Sequence, residues 1–167
     1  MLREIITFPD PRLNQQVQDI QTVDQDIQAL ARDMQETMYE NQGIGLAAPQ
    51  VGELLSLVTV DISGPETRDS LLVLLNPRIV HLQGKTQTEE ACLSLPAFKT
   101  NVQRAQEITV QALDLEGREL EMQAEGLLAI CLQHEIDHLQ GITLVDHAST
   151  LKRSMYQKKA RKWAQTA

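Results

Sequence analysis

Residues 134–138 read His-Glu-Ile-Asp-His, and this short run restricts the chain more than any other part of it. On a helix, four residues advance the side-chain direction by about 400°, so His134 and His138 project about 40° apart from one face. Two imidazoles placed that way can share one metal ion. Glu135, close to the same face, can reach a water at that ion without being a ligand. The flanks favour helix: EGLLAICLQ leads in with strong helix formers, and Leu-Gln-Gly ends the run. A helix is therefore expected over about 125–140. Two histidines on a buried helix without metal would give the same five letters, so the motif needs support from elsewhere in the chain.

Hydrolytic metal sites usually take three protein ligands and keep one position for water. Two thiols could supply the third ligand. Cys131 lies three residues before His134 and seven before His138, on their face of the helix. Three ligands along one ridge, however, surround an ion poorly. Cys92, from another segment, closes a tetrahedron better. Either thiol can equally be a buried core cysteine, and spacing alone leaves both open.

The rest of the chain reads as one α+β unit. Apolar Ile27, Leu30, Ala31, Met34 and Met38 recur at helical spacing from Asp24, a plausible N-cap, to about Asn41. Residues 1–20, with Pro9 and Pro11, read as an extended lead-in. GIGLAAPQ (43–50) cannot be regular helix. Residues 54–62 and 71–80 are strand-like, and 106–123 form a hairpin around Glu116-Gly117. A last helix is expected from about Ser149 to Trp163. At 167 residues the chain can bury an adequate core without disulfides. Two cysteines, no apolar run of membrane-spanning length and no long apolar segment at the start lead us to expect a cytoplasmic protein.

The three segments GIGLAAPQ (43–50), EACLS (90–94) and HEIDH (134–138), in that order and at these separations, resemble the three motifs of the peptide deformylases. The likeness continues through FPDPRL (8–13), MQETMYE (34–40), Asn76-Pro77 and EGLLAICLQHEIDHLQG (125–141). The resemblance implies an HExxH helix packed against small antiparallel sheets, with N- and C-terminal helices. It implies Cys92, His134 and His138 as ligands of one divalent metal, typically Fe(II) with Zn(II) or Ni(II) also found, and Glu135 as the acid/base residue. It further implies Gln50 and the Leu93 N–H as donors to an oxyanion, and a peptide strand running along Gly45. Cys131 would line the pocket for the first side chain, for which Ile44, Leu127 and Ile130 are further candidates beside Ala91. Gly43 and Gly45 would permit close approach or positive φ. The implied reaction is removal of the N-formyl group from the N-terminal methionine of newly made polypeptides. A related hydrolase for another N-acyl or peptide substrate is the alternative.

The chain departs from the family pattern at four positions. Ala91 replaces the usual glycine beside Cys92. It costs stability if φ is positive there, and merely crowds a substrate strand if the backbone is extended. Gln42 and Lys99 stand where a Glu and an Arg could pair, and Thr88 replaces an aliphatic pocket residue. Charge is uneven as well. Within the net charge of −8, residues 147–167 carry six basic side chains and no acidic one. Residues 1–148 are thus expected to be the catalytic domain and 149–167 a basic helix of the same single domain. Its Lys152, Arg153, Lys158, Lys159, Arg161 and Lys162 could meet ribosomal RNA phosphates, or simply form a solvated face. His81 and His147 read as ordinary surface or turn residues.

Overall fold

The computed structural model describes residues 1–166, which fold as α+β. Helix α1 (Gln25–Glu40) begins where Asp24 accepts a hydrogen bond from the Ile27 N–H, satisfying one of the amides that the first turn leaves free. Strand β1 (Gly45–Ala47) is followed by a 3-10 turn (Ala48–Val51), then β2 (Leu57–Val60), the short helix α2 (Gly64–Thr67) and β3 (Leu72–Gln83). Next come β4 (Thr86–Cys92), β5 (Leu95–Arg104), β6 (Glu107–Leu113) and β7 (Glu119–Glu125). Helices α3 (Gly126–Leu139), α4 (Leu144–His147) and α5 (Thr150–Thr166) follow.

Five strands form an antiparallel sheet in the order β1-β2-β3-β6-β7, and β4 and β5 form a separate antiparallel hairpin. Strand β2 reads Leu-Val-Thr-Val without alternation because both of its faces are covered. Val58 and Val60 meet Leu132 and Ile136 of α3, whereas Leu57 joins Leu30, Met34 and Met38 of α1. Helix α3 is thus held by aliphatic side chains such as Leu132, which is fully buried and worth about 1.5–3 kcal/mol. Tyr156 and Ala160 of α5 pack with Leu95, Phe98, Leu144 and Val145, and the Tyr156 hydroxyl donates to the Pro96 carbonyl at 2.9 Å.

The long helices follow their sequence periodicity to within a few residues. The hairpin β4–β5 is the element that periodicity does not show. Its inward positions include Thr88, Glu90, Thr100 and Arg104, so its two faces do not separate into apolar and polar. The lead-in, extended except for a 3-10 turn at Pro11–Asn14, holds the site together from behind. The Ile6 N–H donates to the Gln50 carbonyl and the Phe8 N–H to the Ser94 carbonyl, both at 2.8 Å, tying the 3-10 turn to the β4–β5 turn. No helix among the described residues is long and apolar enough to cross a membrane.

Candidate metal centre and substrate cleft

Helix α3 carries His134 and His138 one turn apart, with ring centroids separated by 5.1 Å. Cys92 ends β4, where a register shift after Ala91 turns the strand toward the helix. Its Sγ lies 3.3 Å from His138 Nε2. One donor atom from each of Cys92, His134 and His138 falls within 4.8 Å of the others. That spacing suits one cation with bonds of about 2.0–2.3 Å to nitrogen and sulfur. Cys131 is outside this group. Its Sγ points to the Ile44 carbonyl at 3.7 Å, and burial first, then the charges of Glu135 and Glu90, raises its pKa well above the usual thiol range. A thiol held neutral this way suits a pocket wall better than a ligand.

Glu135 is 4% exposed, and its Oε2 is buried without a hydrogen-bond partner. Burial pushes its pKa up to about 7, against the opposing pull of His134 and Arg104. A carboxyl tuned to that range can both accept and return a proton near neutrality. Nδ1 of His138 is likewise a buried side-chain atom without a hydrogen-bond partner. Burial, reinforced by the nearby His134 and Arg104, lowers the His138 pKa well below the usual histidine range, which favours a neutral ring with a lone pair to offer.

His134 is oriented from behind. Its Nδ1 lies 3.0 Å from Oε1 of Glu90, which leaves Nε2 for the site. Arg104, 5% exposed, grips the same carboxylate through Nε at 2.9 Å and Nη2 at 2.8 Å, and its Nη1 reaches Asp137 Oδ2 at 2.7 Å. Thr88 adds a hydroxyl donor to Glu90 Oε2 at 2.7 Å. Burial would raise the Glu90 pKa, but the bonds from His134, Arg104 and Thr88 outweigh it and hold the carboxyl at about 2. None of these second contacts follows from spacing. Asp137 stands inside HEIDH and Glu90 just ahead of Ala91-Cys92, yet their link through Arg104 needs three elements brought together. His147 is a surface residue, as expected, but not a plain one: its Nε2 lies 2.9 Å from Asp137 Oδ2.

A cavity of about 580 Å³ opens over this group. Ile44, Gly45, Ala91, Leu127, Ile130 and Cys131 all line it, together with Gln50, Leu93, His134 and Glu135. Gln50 is 1% exposed. Its Oε1 accepts the Ala47 N–H at 2.9 Å, which fixes the amide so that Nε2 faces Ser94 Oγ at 3.1 Å and Cys92 Sγ at 3.5 Å. Gly45 is required for closeness. A Cβ there would stand 2.6 Å from Glu135 Oε1 and 2.9 Å from Cys131 Sγ. Neither Gly43 nor Gly45 has a positive φ, so the conformational role considered for them does not apply; in this loop it is Gln42 that adopts φ 59°. Ala91 lies in extended strand opposite Lys99, and its φ is not positive, so its methyl group costs no left-handed strain. No ion pair joins positions 42 and 99 among the described residues.

An α+β chain with this arrangement of two imidazoles, a thiol and a buried free carboxylate is a metal-dependent hydrolase of the HExxH kind. Comparison with known proteins narrows the class. Residues 2–154 match the family model for polypeptide deformylase. The peptide deformylase of Nitrosococcus oceani is 52% identical over 158 residues, covering 95% of this chain and 93% of the relative. That of Thermodesulfovibrio yellowstonii is 49% identical, covering 93% and 94%. The crystal structure of a peptide deformylase from Legionella pneumophila superposes with a TM-score of 0.91 at 43% identity, over 99% of this chain and 97% of that one. The chain belongs to the polypeptide deformylase family, whose members are metal-dependent hydrolases that remove the N-formyl group from newly made polypeptides.

Proposed function

We propose that this chain deformylates N-formyl-methionyl peptides at a single divalent cation held by Cys92, His134 and His138, with Glu135 carrying the proton. When bound, the cation would polarise the formyl oxygen and lower the pKa of water. The observation that carries the reading is the unpaired, nearly dry Oε2 of Glu135 beside that donor set, with a pKa near 7. Glu135 accepts a proton from the attacking water and later returns it to the amide nitrogen, so that formate and a free amino terminus leave. Nε2 of Gln50 and the backbone N–H of Leu93 donate to the formyl oxygen as it gains charge. Such preorganised donors act in the transition state and are worth about 10²–10³ in rate each.

The open edge of β1 supports pairing with an extended peptide, since β1 bonds to β2 on one side only. The methionine side chain enters the cavity beside Ile44, Leu127, Ile130 and Cys131, with Ala91 flanking the peptide. One thiolate with two imidazoles accommodates Fe(II), Zn(II) or Ni(II), and we assign Fe(II) as the resident ion. Lys152, Arg153, Lys158, Lys159, Arg161 and Lys162 of α5 form a ribosome contact, and the enzyme acts in the cytoplasm.

The test is formate release from a formyl-methionyl tripeptide under anaerobic conditions with Fe(II). The wild type should release formate, and Glu135→Ala should lose nearly all turnover while still binding metal. A Glu135→Ala variant with unimpaired turnover would refute the proton-carrying role.

A further inference from the structure

Resting on the metal-site reading above, we propose that Thr88 is a positioning residue for His134, acting through Glu90 from the wall of the substrate cavity. Thr88 and Glu90 are two residues apart on β4, so their side chains leave the same face of the strand. An ionised carboxylate has about four acceptor directions. On Glu90, Oε1 is taken by His134 Nδ1 and Arg104 Nη2, and Oε2 by Arg104 Nε and Thr88 Oγ1. Every direction is filled in a site where the Glu90 side chain is 8% exposed.

Arg104 alone does not lock this carboxylate. The guanidinium also holds Asp137 through Nη1, so any shift of the arginine would carry Glu90 with it and turn the His134 ring. The Thr88 hydroxyl ties the carboxylate to β4, the strand that ends in Cys92. One strand therefore sets the Cys92 thiol directly and the His134 imidazole through two hydrogen bonds. The same threonine lines the substrate cavity. An aliphatic residue in its place would fill that wall equally well but could not complete the Glu90 set. Partners that orient ligand histidines at one remove typically matter by about 10–100-fold in metal affinity, and Thr88 stands one bond further out.

Valine at position 88 keeps the shape and the strand preference of threonine and removes only the hydroxyl. Serine keeps the hydroxyl and removes the methyl group. Full-length wild type, Thr88→Val and Thr88→Ser are loaded with Co(II) alone, and affinity is read by chelator competition alongside the ligand-field absorption of the bound ion. Thr88→Val should bind Co(II) about 10-fold more weakly with an altered spectrum, whereas Thr88→Ser should stay within about twofold of wild type. With saturating Co(II), Thr88→Val should lower kcat for a formyl-methionyl tripeptide more than it changes KM. Equal affinity in wild type and Thr88→Val overturns the inference, and so does equal weakening in both variants. A wild type that takes up no Co(II) overturns the metal-site reading and this inference with it.

Discussion

Gly45 lies so close to Glu135 that a Cβ on residue 45 would stand 2.6 Å from the carboxylate oxygen Oε1. The edge strand and the HExxH helix are therefore in contact at the point where proton transfer is assigned. Gly45→Ala should displace Glu135 or Cys131 and lower kcat/KM by about 10²-fold, the loss expected from misplacing a reacting group by about 1 Å. The fold should survive, with overpacking costing about 1–3 kcal/mol in urea unfolding. A Gly45→Ala enzyme with unchanged kcat/KM would contradict the assigned closeness.

Arg104 neutralises two acidic groups in a nearly dry setting. Arg104→Ala leaves Glu90 buried and without its charge partner, which should cost about 3–5 kcal/mol of stability. Replacing Glu90 and Arg104 together by leucines should cost less than the Arg104→Ala change alone. Chemical denaturation of the wild type and the two variants checks the order.

These two sites differ in how far they could be read from the sequence. His134, His138 and Glu135 declare themselves because one helix fixes their mutual direction whatever surrounds it. Helix α1 is legible for the same reason, through Leu30, Met34 and Met38. The hairpin β4–β5 is not, since Glu90 and Arg104 occupy inward positions that normally hold aliphatic residues, and the expected alternation disappears. In β3, bulges near Asn76–Pro77 and at Ile79 disturb the register, and the strand runs on to Gln83 rather than stopping near residue 80. The choice between Cys92 and Cys131 depends on where β4 ends relative to α3, a long-range packing fact with no local signal.

Cys131 and Cys92 should respond oppositely to removal. Cys131→Ala removes a contact from the pocket wall and should raise KM for formyl-methionyl substrates by about 10-fold while metal content stays unchanged; a missing methylene-sized contact is worth about 1–3 kcal/mol. Cys92→Ala should lose the metal. Metal analysis after gel filtration separates the two cases.

Asp61 offers a pH test at a group outside the metal-donor set. Burial alone would raise its pKa, but hydrogen bonds from Ser63 and from Tyr39, at 2.6 Å, outweigh it and lower the pKa below the ordinary aspartate value. A depressed carboxylate stabilises the fold above the unfolded pKa and loses that contribution as pH falls through the folded one. Tyr39→Phe should therefore cost about 1.5–3 kcal/mol at neutral pH. The gap to wild type should shrink below about pH 4. Because the Tyr39 hydroxyl is itself pushed up to about 12, first by burial and then by Asp61, the gap should stay flat between pH 6 and 9. A gap that widens toward acid would contradict the assignment.

Lys158, Lys159 and Lys162 are exposed on α5, while Tyr156 and Ala160 anchor the helix. Changing all three lysines to glutamate should weaken co-sedimentation with ribosomes steeply and reduce its dependence on salt. Hydrolysis of a short formyl peptide should be unaffected. Unchanged co-sedimentation at low salt would remove α5 from the contact.

The central claim concerns which atoms hold the cation, and X-ray absorption at the metal edge of the loaded full-length enzyme addresses it directly. One sulfur and two imidazole nitrogens, with the sulfur lost in Cys92→Ser and retained in Cys131→Ser, is the predicted result. A shell with no sulfur, or with the sulfur lost only in Cys131→Ser, would contradict it.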